Sequence, residues 1–367
     1  MNIFARKVLN SRKQATIEVN YYGNTGSAPS GTSVSKYEIK PYLRSINREI
    51  AEFNRKAKLI EKIKVNEFQD LEKIESFLKR FGANTVIALE FAILKYHHGY
   101  KWLNGKKLPR PLGNCIGGGL HSKAASTNFQ EFLVIDKNSE SFFEAAFKNN
   151  KAHRLAHELL EQEDKNFKIQ FNDEGAWITK LEDEVVLSIM QRIANNLNLK
   201  IGLDIASSYL WNGKFYVYKN KKLSKKDQIK FVNRLINKFK LYYIEDALHE
   251  DDFSGFSELD KECLIAGDDL IATNLSRLKN AINKESINAV IIKPNQIGSL
   301  IKMKEVIELA KKNNIIPIMS HRSGETLDNS ISHLAVGFNI PIIKCGIYGK
   351  ERLAKINELV RIEKEIS

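Results

Sequence analysis

The residues between 199 and 346 decide the fold. They contain KIGLD (200–204), LYYIED (241–246), LIAGDD (264–269), AVIIK (289–293), IIPIMSH (315–321) and IPIIKCG (340–346). Each run has strand length and lacks apolar/polar alternation, as a parallel strand buried on both faces does. Each carries a polar residue at or near its end: Asp204, Glu245, Asp268, Lys293, His321 and Lys344. These follow one another at separations of 41, 23, 25, 28 and 23 residues. Four of the five separations fit one strand, one helix and two connections. The expectation is a TIM-like β/α barrel whose C-terminal rim carries the chemistry. A purely structural barrel does not need three carboxylates and two lysines at successive strand ends.

Working outward, FQEFLVID (129–136) reads as the first barrel strand, and residues 167–171 as a further strand leading into NDEG (172–175). Helical periodicity covers 139–163, 182–197, 225–239, 275–283, 300–313, 325–336 and 351–366. Residues 3–9 and 15–22 read as strands, the second alternating with period two; helical patterns follow at 42–63, 67–81 and 85–96. The small-residue stretch GNTGSAPSGTSVSK (23–36) suits either a connector or a lid that closes over a ligand. The Pro/Gly-rich LPRPLGNCIGGG (108–119) reads as the boundary between an N-terminal α+β domain, residues 1–110, and the barrel domain, residues 111–367.

Composition excludes several classes. With 43% hydrophobic residues the chain of 367 supports a sizeable core. No run approaches the ~18 apolar residues of a membrane span. The start, MNIFARKVLNSRK, lacks an apolar core of signal-peptide length, so the expected location is the cytoplasm. The three cysteines, Cys115, Cys263 and Cys345, are far apart and suggest neither a disulfide framework nor a zinc site. The net charge of +13 raises nucleic-acid binding, but the lysines are dispersed through solvated helix faces.

Asp204, Glu245 and Asp268 would repel one another unless a cation lies between them. A hard divalent ion, Mg²⁺, suits oxygen-only ligands; the alternative is that each carboxylate pairs with a lysine across the rim. Lys293, beside cations, is expected to have a lowered pKa that suits a general base. His321, Arg322, Ser323 and Lys344 outline an anion-binding rim. Glu131 and Glu174 lie where the early strands meet that rim and can share a proton, keeping one as a general acid. A Lys base facing a Glu acid implies removal of a proton from carbon followed by loss of a leaving group. This Lys-plus-Mg²⁺ arrangement is a known pattern of the enolase superfamily.

Motifs along nearly the whole chain carry the resemblance: SHRSGET (320–326), GDDLIATN (267–274), KPNQIG (293–298), ERLAKINELVRIE (351–363) and APSGTS (28–33), with QEF (130–132), DEG (173–175), LDIAS (203–207) and IED (244–246). The chain resembles the enolase family. That resemblance implies Mg²⁺-dependent interconversion of 2-phosphoglycerate and phosphoenolpyruvate, in glycolysis and gluconeogenesis. It implies Asp204, Glu245 and Asp268 as ligands of a first Mg²⁺, and Ser33 for a second that arrives with substrate. Lys293 is implied as the C2 base, and Glu174 backed by Glu131 as the acid at the C3 hydroxyl. Arg322 and Ser323 are implied at the phosphate, Lys344 at the carboxylate, and His121, Gln130 and His321 along the wall. A homodimer is implied, with Glu18 and Arg361 paired across the interface.

The chain departs from the family pattern in NSRKQAT (10–16), in Ser35, which replaces a lid glycine, and in Tyr348-Gly349-Lys350 before the last helix. Ser35 leads to the expectation of a lid that closes less freely. Two other functions stand beside the leading one: a sister lyase acting on another anionic acid, and a catalytically weakened enolase-like protein used for binding nucleic acid or surfaces.

Overall fold

The computed structural model describes residues 2–32, 34–122 and 126–366. Period-two alternation at the N-terminus becomes an antiparallel hairpin: β1 (Ile3–Leu9) pairs with β2 (Ala15–Tyr21), Ile3 opposite Tyr21 and Leu9 opposite Ala15. Ile17, Val19 and Tyr21 are buried, while Glu18 and Asn20 are half-buried. β3 (Asn24–Ser27) pairs with β2, so the small-residue stretch begins as a strand rather than a free connector. Gly26 permits this, because a Cβ there would lie 2.3 Å from the Ala88 carbonyl. Three helices follow, α1 (Ile46–Ile60), α2 (Leu71–Phe77) and α3 (Ala83–Tyr96), of which α1 and α3 pack on the sheet. α3 is buried from Ala83 to Leu94, since it packs on β2 and β3 and also meets the barrel.

The barrel closes from eight strands, in the order β10-β11-β12-β13-β4-β5-β6-β9. They are β4 (Arg110–Gly117), β5 (Glu131–Ile135), β6 (Lys200–Asp204), β9 (Tyr243–Glu245), β10 (Leu264–Gly267), β11 (Ala289–Ile292), β12 (Ile316–Ser320) and β13 (Ile342–Lys344). A small hairpin, β7 (Tyr216–Val217) with β8 (Lys222–Leu223), lies outside it. The outer helices are α4 (Phe142–Glu163), α5 (Asp183–Leu197), α6 (Lys225–Phe239), α7 (Phe253–Ser257), α8 (Leu275–Asn283), α9 (Pro294–Ile297), α10 (Leu300–Lys312), α11 (Ser330–Gly337) and α12 (Lys350–Ile366). Leu112, Leu133, Ile135, Tyr243, Ala266, Ala289, Ile291, Ile318 and Ile342 fill the barrel interior.

Three sequence readings are corrected here. The first barrel strand is β4, inside the Pro/Gly-rich stretch taken as a boundary. Its glycines serve packing: a Cβ on Gly113 would lie 2.6 Å from Ile347, and one on Gly117 2.2 Å from Asn172. Residues 167–171 form no barrel strand, only a bridge between Phe171 and Trp177, because residues 168–171 are exposed. β5 runs antiparallel to β4 and β6. Among the described residues only a single 3-10 turn, Gly119–His121, lies between β4 and β5, and a parallel pair would need a crossover of a dozen or more residues, usually helical. The helix expected from residue 325 begins at Ser330, because the Glu325 carboxylate is drawn inward to Lys355 at 2.8 Å. Among the described residues no helix is long and apolar enough to cross a membrane.

Candidate active site

The strand ends converge as the sequence spacing predicts. Asp204, Glu245 and Lys344 are the last residues of β6, β9 and β13; Asp268, Lys293 and His321 each directly follow a strand. One cavity, partly open to solvent, is lined by Gly31, Thr32 and twelve further residues. Among these are His121, Gln130, Glu131, Glu174, Asp204, Asp268, Lys293, His321, Arg322, Ser323 and Lys344. Glu245 lies beneath it, fully buried.

Two lysines bind the carboxylates together. Lys344 Nζ lies 2.6 Å from Glu245 Oε2, 3.0 Å from Asp204 Oδ2 and 3.2 Å from Glu131 Oε2. Lys293 Nζ pairs with Asp268 Oδ2, whose other oxygen accepts from Gln296 at 3.1 Å. Burial pushes Glu245 up to about 8, with Asp204 adding repulsion. Burial also lowers Lys293, but Asp268 outweighs it together with the opposing Arg322 and Lys344, and the ammonium is favoured. The charge nearest to Lys293 Nζ is the Asp268 carboxylate.

The acid side is organised by histidines. His121 Nδ1 is 3.6 Å from Glu174 Oε1 and 3.9 Å from Glu131 Oε1. His321 Nε2 is 3.5 Å from Glu174 Oε1, and Asn114 Nδ2 donates to Glu174 Oε2 at 3.3 Å. Burial raises Glu131 well above the usual carboxylate range, reinforced by Glu174. Burial would raise Glu174 too, but His121 and His321 hold it well below that range. Burial and the neighbouring charges thus push the two carboxyls in opposite directions, Glu131 up and Glu174 down.

The anion wall is closed by the N-terminal loop. Arg322 donates to both oxygens of Glu38, at 3.0 and 3.1 Å, and to Asn295 Oδ1 at 3.0 Å. The Ser323 hydroxyl is 2.7 Å from that of Thr32 and accepts the Thr32 amide at 2.8 Å. Ser30 and Gly324 exchange two backbone bonds of 2.8 Å. Ser35 is buried and donates to Glu250 Oε2 at 2.6 Å. It is not among the described residues with positive φ, so the freedom of a glycine is not required there. Ser33 lies outside the described residues.

The fold agrees with what the chain resembles. The enolase C-terminal TIM barrel domain family matches residues 105–367. The enolase of Archaeoglobus fulgidus is 37% identical over 388 residues, covering 99% of this chain and 96% of its own. That of Methanosphaera stadtmanae is 38% identical over 98% of this chain and 96% of its own. The chain belongs to the enolase family.

Enolase family membership implies use of a divalent metal, and these residues fit one. Asp204, Glu245 and Asp268 offer only oxygen, which suits a hard cation. The buried Glu245 Oε1 has no hydrogen-bond partner. Both open readings of the trio have a basis, since lysines stand between carboxylates that a cation would also satisfy. The carboxylate oxygens gathered within 4.8 Å at Asp268 come from Asp246 and Asp269. Asp246 accepts the amides of Asp268 at 3.0 Å and of Asp269 at 2.8 Å, and so fixes the turn that presents Asp268. Sequence reasoning missed Asp246, Asn114, Thr32 and Glu38. Asp246 stood in the quoted IED motif; Asn114 was hidden in the stretch read as a boundary.

Proposed function

We propose that the protein is a phosphopyruvate hydratase, a hydro-lyase that reversibly dehydrates 2-phospho-D-glycerate to phosphoenolpyruvate. The observation that carries this reading is that Lys293 and Glu174 line one cavity whose wall includes Arg322 and Ser323. Family membership over nearly the full chain supports it.

In this reading Lys293 Nζ accepts the C2 proton, and Glu174 delivers a proton to the departing C3 hydroxyl. Lys293 can accept only when neutral, so Asp268 must release it from the ion pair. Glu174, whose carboxyl is held low, must take up a proton before it can give one, and Glu131, whose carboxyl burial raises, and His121 gather within 4.8 Å of it to pass that proton. Arg322 and Ser323 bind the phosphate, which requires Glu38 to give up the guanidinium. Lys344 holds the substrate carboxylate, and Gln130 and His321 shape the wall. Asp204, Glu245 and Asp268 would hold a first Mg²⁺, and Ser33 would help hold a second. When bound, these ions supply the concentrated positive charge that enolate-forming chemistry needs.

The reading includes a cytoplasmic location, two folding units at residues 1–110 and 111–367, and a homodimer. Within one chain Glu18 pairs with Arg6 at 2.6 Å and Arg361 with Glu358 at 2.6 Å. A Glu18–Arg361 contact across a dimer would draw on these local pairs, and light scattering of Glu18→Lys would test it.

The deciding experiment is phosphoenolpyruvate formation followed by ultraviolet absorbance, with Mg²⁺, with chelator, and in Lys293→Ala and Glu174→Gln. Metal-dependent turnover lost in both variants is the expected result. No turnover from the folded, Mg²⁺-supplied protein would overturn the reading.

A further inference from the structure

Glu174 sits in a tight turn. Asn172 Oδ1 accepts the amides of Glu174 at 2.9 Å and Ala176 at 3.0 Å, and the Asn172 amide donates to the Ala176 carbonyl at 2.9 Å. The turn needs Gly175 at φ +81°, beside the Tyr348 backbone: a Cβ on Gly175 would lie 2.5 Å from the Tyr348 carbonyl oxygen. A glycine at positive φ leaves the flanking peptides free to rotate unless something holds them. The peptide before Gly175 is held by its amide, which donates to the Asn172 carbonyl at 3.1 Å, and the carbonyls of Gly175 and of Asp173, one peptide further back, are held as well. Arg352 Nη2 donates to the Asp173 carbonyl at 3.1 Å, and His153 Nε2 lies 2.9 Å from the Gly175 carbonyl.

His153 comes from α4, the first helix after β5, and is 4% exposed. Its ring stacks at 5.0 Å on Trp177 and at 5.8 Å on Tyr348, with Phe171 at 6.1 Å. Its own carbonyl accepts Trp177 Nε1 at 2.8 Å, so one residue of α4 grips both Gly175 and Trp177. We propose that His153 is a positioning residue for Glu174, fixing the acid's peptide through the Gly175 carbonyl. A carbonyl only accepts, so Nε2 must carry the proton. Burial lowers the ring's pKa and keeps it neutral, consistent with that tautomer. Trp177, Phe171 and Tyr348 pack around the imidazole and fix its orientation. Tyr348, one of the departures from the family pattern, is one of those rings.

This inference rests on the reading of Glu174 as the acid, and its test separates the two. His153→Phe keeps an aromatic ring and loses the donor; His153→Gln keeps an N–H of similar reach and loses the ring. With saturating Mg²⁺, His153→Phe is expected to lower kcat at least about tenfold with KM within about twofold, because misplacing a reacting group by about 1 Å costs up to ~100-fold. His153→Gln should recover most of that loss. Nitrogen-15 NMR of the parent's histidines should show His153 neutral and protonated at Nε2. Parent-like kcat in His153→Phe, equal losses in both variants, or an Nδ1–H tautomer would each overturn the inference. Full turnover in Glu174→Gln would instead overturn the reading beneath it.

Discussion

Lys344 Nζ lies 2.6 Å from Glu245 Oε2, although Lys344 ends the last barrel strand and Glu245 ends β9. The contact spans the barrel mouth and places a buried ammonium where the donor set also suits a cation. Removing one partner of a buried ion pair leaves uncompensated charge and costs about 3–5 kcal/mol. Lys344→Met should lose about that much in denaturant unfolding with chelator present. Adding a divalent cation should restore part of it, since the same carboxylates would then be neutralised. A loss identical with and without cation would show that these carboxylates do not bind metal.

Arg322 is already spent on Glu38, so an incoming phosphate competes with a carboxylate. Glu38→Gln removes the competitor's charge while keeping its shape. Inorganic phosphate should bind about tenfold more tightly to this variant by calorimetry, an increment typical of one charge-assisted bond. Weaker binding would mean that Glu38 aims the guanidinium rather than masks it.

Ser35 ties the N-terminal loop to the barrel through Glu250. Its bond to Glu250 is flanked by Lys36 and the Tyr37 hydroxyl on Asp251, at 2.7 and 2.6 Å. Ser35→Ala should cost the closed loop about 1 kcal/mol, roughly fivefold in its population. Hydrogen exchange at residues 34–38 should accelerate by that factor while exchange in the barrel strands stays unchanged.

Glu358 provides a pH signature away from the site. Burial pushes its carboxyl up, but His333 at 3.1 Å and Arg361 outweigh this and hold it at about 2. A depressed carboxylate contributes stability that is complete above its unfolded pKa and is lost as pH falls through the folded one. Glu358→Gln should therefore cost about 1 kcal/mol at pH 7, a value discounted because the Arg361 partner is half-exposed. The difference between variant and parent should shrink as pH falls from 4.5 toward 2. A constant difference would rule out the ion pair as its source.

Most of the barrel could be read from the chain because parallel strands leave an unmistakable mark: residues 200–204, 264–267 and 289–292 are strands where apolar runs stood. β4 escaped because its glycines and proline mimic a linker, whereas they are there to let Ile347 and Asn172 approach. The acid pair was legible as two residues, but not as a state. The downward push on Glu174 comes from two histidines brought in from loops far apart in sequence.

The sequence by itself determined the barrel, its polar rim and the family, because burial on both strand faces and motif spacing are local properties of the chain. Only the tertiary structure decided that Lys293 meets Asp268, that Glu38 occupies Arg322, and that His153 reaches Gly175. Those pairings depend on how the β/α loops and the N-terminal loop fold over one cavity. Their partners are up to 284 residues apart, and no local pattern records such a distance.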